Sequence, residues 1–502
     1  MNLTKEQIIN DYNYIKKKAI LYCQDGNLDK SAKFTEMAAK IGYKFNFKYS
    51  DDELEENIQR LGEKISCSKV SFIGIQNKIA FYDSFAYDNR NLTLQYLRAI
   101  FAWGMELLYI TNQNNIGKDI LKELKEYPKS TILIIADGSL AEKNRRAAET
   151  ILLFRPEKVL LHYLPWDIVG FTIWSQIHSS ERFFINLTDH AYWLGKNTGD
   201  YFLEFRKCGC HISIKYRNIP INKLIFQPYY PIITKTNFEG FPFDKGNKVF
   251  AFSGSNYNKI YGKNFLFLKL LMEVLIKNYN LIFLFAGNGN PKPLIRFIKK
   301  NNLEDRFILI GNRSDLSEVF KRIDIYVNTY PNIGGLMSQY ATINNKPIIG
   351  YTDPASYCTN DTEDFLGIEK RGLIVKSTIE GFIEYFNLLI NSKEAREKNI
   401  NYIRNAVISE NDFAKSLMNN ITYKKTMSDS KDLNVSINVE DVFETYHDIE
   451  VNFLKEYYYL IFETLRIDIL KCNFSLILRT FLGMAGKVKP FLGILYKIIF
   501  HK

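Results

Sequence analysis

Several things are missing from this 502-residue chain, and each absence removes a class of function. No stretch reaches about 18 uninterrupted apolar residues, so no bilayer-spanning helix is expected. The N-terminus carries Lys5 and Glu6 early and lacks an apolar signal core, which favours a cytoplasmic location. Cysteine is scarce: of six, only Cys208 and Cys210 stand close, as a single C-x-C without a second pair. Neither a zinc site nor a disulfide framework is indicated, and reduced thiols are the expectation. The net charge is +11, yet no lysine- and arginine-rich block dominates, which argues against nucleic acid as a partner. An Asp-x-Asp motif is absent throughout, so no metal bridging a diphosphate is implied.

What remains is the composition of a globular protein, 46% hydrophobic and 24% charged, too long for one ordinary domain. Residues 1–66 read as a helical hairpin, with Ile8, Ile9, Tyr12 and Ile15 near helical spacing and a break at Gly26-Asn27. This appendage is expected to carry no chemistry. From residue 67 to 231, short apolar strands alternate with helices: Lys78 to Tyr82, Thr131 to Ala136, Lys158 to Tyr163, Phe183 to Leu187, His211 to Ile214 and Leu224 to Gln227. Such alternation predicts a parallel sheet with crossover helices. A Pro- and Gly-bearing linker follows, and a second, more regular run occupies 247–410, with strands beginning at Val249, Leu281, Phe307, Ile325, Pro347 and Leu373. Residues 411–502 form a helical tail.

The second run holds the chemistry-bearing turns. Its first strand ends in Ser253-Gly254-Ser255, with Lys259 and Lys263 at the head of the next helix. Small-residue turns expose main-chain N–H groups, and helix N-termini add positive dipole, a combination suited to a diphosphate. Asn312 and Arg313 follow the third strand, where a base can lie against the loop and the guanidinium can neutralise charge. The most specific stretch runs from Asp324 to Pro331, through Asn332-Ile333-Gly334-Gly335, to Ser338 and Gln339, and closes with Asn345-Lys346-Pro347. The Gly-Gly turn lets a phosphate approach main chain, and Ser338 and Gln339 are placed for phosphate or ribose oxygens.

This order and spacing resembles the C-terminal domain of GT-B glycosyltransferases. The resemblance implies an α/β fold with two Rossmann-like domains facing across a cleft, here with an N-terminal helical hairpin and a C-terminal helical tail. It implies sugar transfer from a nucleotide-sugar, UDP by family default, to a glycan, lipid-linked or protein acceptor. No cofactor or metal is implied beyond that co-substrate. The implied donor-binding residues are Gly254, Ser255, Lys263, Asn312, Arg313, Gly334, Gly335, Ser338 and Gln339. Gln339 stands where the family usually has a ribose-binding Glu, Asn345 replaces a usual Gly, and the glutamate pair of retaining family 4 members is missing.

In that fold the first domain holds the acceptor, and two loops past strand ends qualify. One starts at Asp83 and runs to Arg90; the other contains Thr188-Asp189-His190 and then Tyr192-Trp193. His190 beside Asp189 has the residue types of a general base, with Asp83 as a second candidate. A packed, hydrogen-bonded histidine is the other reading of His190, and His162 is read as structural. In the tail, Phe474, Ile477, Leu478, Phe481 and Leu482 follow helical spacing, with a second apolar set and lysines to 502. Residues 474–502 therefore read either as a membrane-surface segment at the inner face of the cell membrane or as helices packed on the protein itself. Two other functions share the fold: a non-catalytic partner subunit or glycan-binding protein, and a nucleotide-sugar epimerase.

Overall fold

The computed structural model describes residues 3–66, 71–88, 92–233, 236–353, 360–369, 372–428 and 437–484. Three helices come first: α1 (Lys5–Gln24), α2 (Leu28–Phe45) and α3 (Asp52–Ile65). Thr4 and Gln7 form a capping box at the start of α1, satisfying main-chain donors that would otherwise be orphaned. The apolar faces of α1–α3 join the core of the first sheet domain through Ile8, Tyr12, Ile15, Phe34, Ile41 and Leu61.

Among the described residues thirteen strands follow: β1 (Ile75–Asp83), β2 (Glu106–Thr111), β3 (Ser130–Ile134), β4 (Pro156–His162), β5 (Glu181–Ile185), β6 (Tyr201–Glu204), β7 (Leu224–Phe226), β8 (Val249–Gly254), β9 (Leu281–Ala286), β10 (Phe307–Leu309), β11 (Ile325–Val327), β12 (Ile348–Tyr351) and β13 (Val375–Lys376). The first sheet runs β3-β2-β1-β4-β5-β6-β7 and the second β10-β9-β8-β11-β12-β13. All pairings are parallel, for example Ala80 with Val159 and Tyr326 with Phe252. Every strand after the first in each sheet is reached by a crossover, which buries both faces and explains the unbroken apolar run Leu281–Ala286. Strand order reverses between β1 and β4 and between β8 and β11. Ligands of open parallel sheets gather beside the carboxyl ends at such reversals.

The segment His211 to Ile214, expected as a strand, lies inside a helix spanning Lys207–Arg217. Its basic last turn, Lys215 and Arg217, suits a helix C-terminus, and Asp364 of the second domain accepts from Cys208 N–H in the first turn at 3.0 Å. Strands β2 and β6 were not among the strands expected from the sequence. Cys208 is disulfide-bonded, against the expectation of reduced thiols throughout, whereas Cys23, Cys210 and Cys472 are free.

After the second sheet the chain returns to the first domain. Helix Glu410–Tyr423 places Phe413 against Tyr96 and Tyr230, and Asn420 donates to Phe226 O. Helices Val439–Ile449, Tyr457–Leu465 and Phe474–Met484 then pack on α1 and α2. Arg479 makes a two-pronged pair with Asp11, and Tyr457 OH donates to the same carboxylate. Residues 474–484 of the tail are thus partly packed on the protein. The remainder of the tail, 485–502, lies outside the described residues.

Candidate functional site in the cleft between the two sheets

A cavity of about 560 Å³ opens where the carboxyl ends of the two sheets face one another. The first domain contributes Leu187, His190, Phe205 and Arg206; the second contributes Asn258, Lys259, Asn332, Gly335 and Phe365. Both ends of the chain contribute as well: Lys40, Tyr43, Lys44 and Asn46 from α2 and its cap, and Val442, Tyr446, Ile449 and Glu450 from the tail. The helical hairpin, expected to be an inert appendage, therefore forms part of the wall.

On the first-domain side, Asp189 is buried and Arg206 binds both its oxygens, Nε to Oδ2 at 2.5 Å and Nη2 to Oδ1 at 3.0 Å. Burial alone would raise the Asp189 carboxyl. The Arg206 charge and the hydrogen bonds outweigh it and hold the group at about 2. Asp189 is therefore an obligate acceptor, and His190 Nδ1, 3.3 Å from Oδ1, must be the donor. That tautomer leaves Nε2 of His190 as an acceptor, on a side chain 41% exposed in the cavity wall. Asn46 fixes the loop from behind, donating to His190 O at 3.0 Å and accepting from Tyr192 N–H at 2.8 Å.

Asp83, the second candidate base, does not line the cavity. It is fully buried and accepts from Thr93 Oγ1, Tyr109 OH, Phe85 N–H and His162 Nδ1. Burial opposes its charge, but these donors, His162 foremost, keep its carboxyl below the ordinary range. A carboxylate so saturated has no lone pair to offer a substrate. Its loop ends at residues 89–91, which lie outside the described residues.

The donor-domain candidates divide sharply. Gly335 lines the cavity at the start of helix Gly335–Ile343, and a Cβ there would sit 1.9 Å from the Phe365 ring, so only glycine fits. Gly334 is buried behind it, its N–H donating to Asn328 Oδ1. Gly254 is buried under Met337, and the Ser255 hydroxyl donates to Asn256 O; neither lines the cavity. Ser338 is buried, bridging Asn328 and Gly334 O. Gln339 is turned to the end of the first domain, where Nε2 donates to Tyr229 O at 2.9 Å. Asn312 is exposed away from the cavity, and Arg313 is held by Asp315, Glu239 and Gly240 O.

Lys263 does not line the cavity either. Lys263, Asn264 and Phe265 occupy three consecutive left-handed positions, φ 55, 52 and 58, before the regular helix begins. Non-glycine residues there cost roughly 1–2 kcal/mol each, so packing must impose the turn. It does: Lys263 pairs with Asp441 and Asp353, and Phe265 stacks edgewise on Phe453. The second-domain cation in the cavity wall is Lys259, four residues earlier. Burial lowers its ammonium from the ordinary value, and it makes a long hydrogen bond, 3.4 Å, to Ile333 O. The sequence signal for it, a lysine near a strand-end turn, did not separate it from Lys263.

Among the described residues, no group of three or more His, Cys, Asp or Glu side chains is arranged to hold a metal ion.

The facing parallel sheets, joined by a linker and sealed by a returning C-terminal helix, are a GT-B fold. Its donor-side half, residues 234–406, matches the family model described as Glycosyl transferases group 1. The fold is similar to that of a mutant O-GlcNAc transferase of Thermobaculum terrenum, with TM-score 0.52 and 13% identity over 87% of this chain and 85% of that one. It is similar to Anabaena HepE in complex with UDP, with TM-score 0.51 and 12% identity over 69% of this chain and 100% of that one. A third similar structure is the apo form of the lipopolysaccharide outer core galactosyltransferase WaaB, with TM-score 0.50 and 15% identity over 69% and 99%. No curated protein matches the chain by sequence.

Proposed function

We propose that the cleft transfers a sugar from a nucleotide-sugar, a UDP-sugar in the simplest case, to an acceptor hydroxyl on a glycan, lipid-linked or protein substrate. The observation that carries this reading is the opposition of two unlike walls across one cavity. Lys259 and the main chain at Gly335 stand on one side, and the His190–Asp189–Arg206 relay stands on the other. The complex of HepE with UDP supports the choice of nucleotide.

In this scheme the donor's diphosphate rests against the N-terminus of helix Gly335–Ile343, where unsatisfied N–H groups and the helix dipole favour an anion. Lys259 supplies the full positive charge. Its partial desolvation strengthens the attraction, because the same charge acts through a lower effective dielectric. The acceptor hydroxyl loses its proton to His190 Nε2 as its oxygen bonds to the anomeric carbon. The bond from that carbon to the diphosphate breaks, and the electron pair leaves with the nucleoside diphosphate. Asp189 stabilises the imidazolium that forms and Arg206 keeps Asp189 ionised. Leaving-group charge is met by Lys259 and main chain, so the scheme calls for no metal.

The epimerase alternative needs carboxylates converging on the sugar. Among the described residues the cavity wall has one, Glu450, and Lys44 pairs with it at 2.7 Å. The partner-subunit alternative draws on Gln339, which is bonded to Tyr229 O where the family uses a ribose ligand. One assay separates these readings: incubate the full chain with a panel of nucleotide sugars and follow released nucleoside diphosphate. The transferase reading expects release with at least one donor and its loss in His190→Ala. Donor binding with no release from any donor or acceptor mixture would establish the partner reading instead.

A further inference from the structure

Both ends of the chain meet across the cavity, and what they build bears on the acceptor. Successive turns of α2 form a ladder leading away from the base. Asn46 is bonded to His190 O; one turn back, the Tyr43 ring lies 5.1 Å from Trp166; Lys40 sits over the Trp166 ring and donates to Thr464 Oγ1 at 3.1 Å. Two turns further, Lys33 pairs with Asp468 at 2.5 Å. At 1.5 Å per helical residue, Asn46 and Lys33 are roughly 20 Å apart along the axis.

Val442, Ile449, Leu454 and Leu460 form an aliphatic strip of the wall beside this ladder, edged by Tyr43 and Trp166. Two polar groups beside it are already engaged. The Asn46 amide is spent on His190 and Tyr192, and Glu450 on Lys44 and the N–H groups of Glu456 and Tyr457. A sugar ring laid on these four aliphatic side chains would lose hydration without recovering its hydrogen bonds, whereas an apolar chain loses nothing.

At the far end of the ladder the surface changes character. Ile467 and Leu470 flank Asp468 and are 59% and 58% exposed. Phe474, Leu478 and Leu482, spaced i, i+4, i+8 on the last described helix, continue the same exposure, with Phe474 at 76%. Exposed Arg466 and Lys471 lie within the strip, and Lys18 and Lys30 stand over the neighbouring Tyr22 ring. Burial, with Cys472 and the Asp468 carboxylate nearby, raises the Tyr22 phenol, which puts Tyr22 beside the strip. An apolar stripe rimmed by four cations, on a protein of net charge +11, is complementary to an anionic bilayer.

We propose that the acceptor is a lipid-anchored hydroxyl, drawn from an anionic membrane on which the strip from Ile467 to Leu482 rests. Its apolar segment lies along the α2 wall and its reacting head reaches His190. This assignment rests on the transferase reading and adds the acceptor class to it.

The test uses the full chain with three probes: farnesyl phosphate, maltotriose, and vesicles of phosphatidylcholine with one third phosphatidylglycerol. Farnesyl phosphate should bind and Leu460→Glu should weaken it about tenfold, while maltotriose should not bind. The chain should float with the vesicles, and the surface variant Phe474→Asp with Leu478→Asp, which disturbs no buried contact, should lower the bound fraction about tenfold. Preference for maltotriose, failure to float, or a solution dimer split by the surface variant would each overturn the proposal. UDP titrated into the same samples reports on the donor site alone. Lipid arms that fail with UDP binding intact sink the acceptor inference, and absent UDP binding sinks the transferase reading.

Discussion

In the first sheet domain, charged side chains are buried in closed networks: Asp83 with His162, Thr93 and Tyr109; Glu204 with Asn186 and Ser213; Asp189 with Arg206. In the second, the cavity wall is mostly main chain and apolar surface, with Lys259 as its cation and Arg313 and Lys263 tied into pairs elsewhere. The difference follows from the tasks proposed for the two halves. Proton transfer needs a side chain whose tautomer is fixed by neighbours, and such neighbours must themselves be satisfied when buried. Gripping a diphosphate needs N–H groups and one charge, which a glycine turn at a helix start provides with few side chains.

The sharpest way to break this comparison is at its one point of contact with chemistry. His190→Ala should lower kcat by about 10²–10⁴-fold with UDP affinity unchanged, as measured by nucleotide release and calorimetry. An equal loss of UDP binding would place His190 on the donor side and merge the two walls.

Next in size is the support beneath it. Arg206→Ala leaves the buried Asp189 carboxyl without its ion-pair partner, which should cost about 3–5 kcal/mol in denaturant unfolding. A loss under about 1 kcal/mol would show that the relay is solvated and that the network is not closed.

A smaller effect concerns pH. Burial raises the Glu204 carboxyl to about 7 from an ordinary 4.5, despite hydrogen bonds from Ser213 and Asn186. A folded-state value above the unfolded one contributes stability that is complete below about 4.5 and is lost as pH rises through about 7. Glu55, also raised to about 7 by burial, acts with the same sign. Glu204→Gln should therefore remove about 3 kcal/mol of the decline in stability between those limits, seen in unfolding curves taken across pH. An unchanged slope would mean that Glu204 stays ionised when folded.

The same contrast governs what could be read from the sequence. Alternating strands and helices were legible in both halves, because buried parallel strands such as Leu281–Ala286 and Ile325–Val327 are unbroken apolar runs. His211 to Ile214 misled, since four residues of alternating polarity are too few to separate a strand from one helix face. His190 and Asp189 were legible as neighbours in a strand-end loop. Arg206, 17 residues on, was not, because only the pairing of β5 with β6 brings it beside Asp189. On the donor side Gly335 was legible as half of a Gly-Gly turn. Ser338, Gln339, Asn312 and Arg313 carried plausible chemistry but point into other contacts, which local spacing does not encode. The contribution of α2 to the cavity was invisible for the same reason: its contacts with the tail join residues more than 400 positions apart, as in Lys33 with Asp468.

The central claim is that the donor's diphosphate is held at Lys259 beside Gly335, and the most direct measurement is UDP affinity in two lysine variants. By calorimetry, Lys259→Ala should weaken UDP at least about tenfold, and Lys263→Ala, which breaks only the pairs with Asp441 and Asp353, should leave it within about twofold. The reverse ranking, or UDP affinity indifferent to both lysines, would contradict the account.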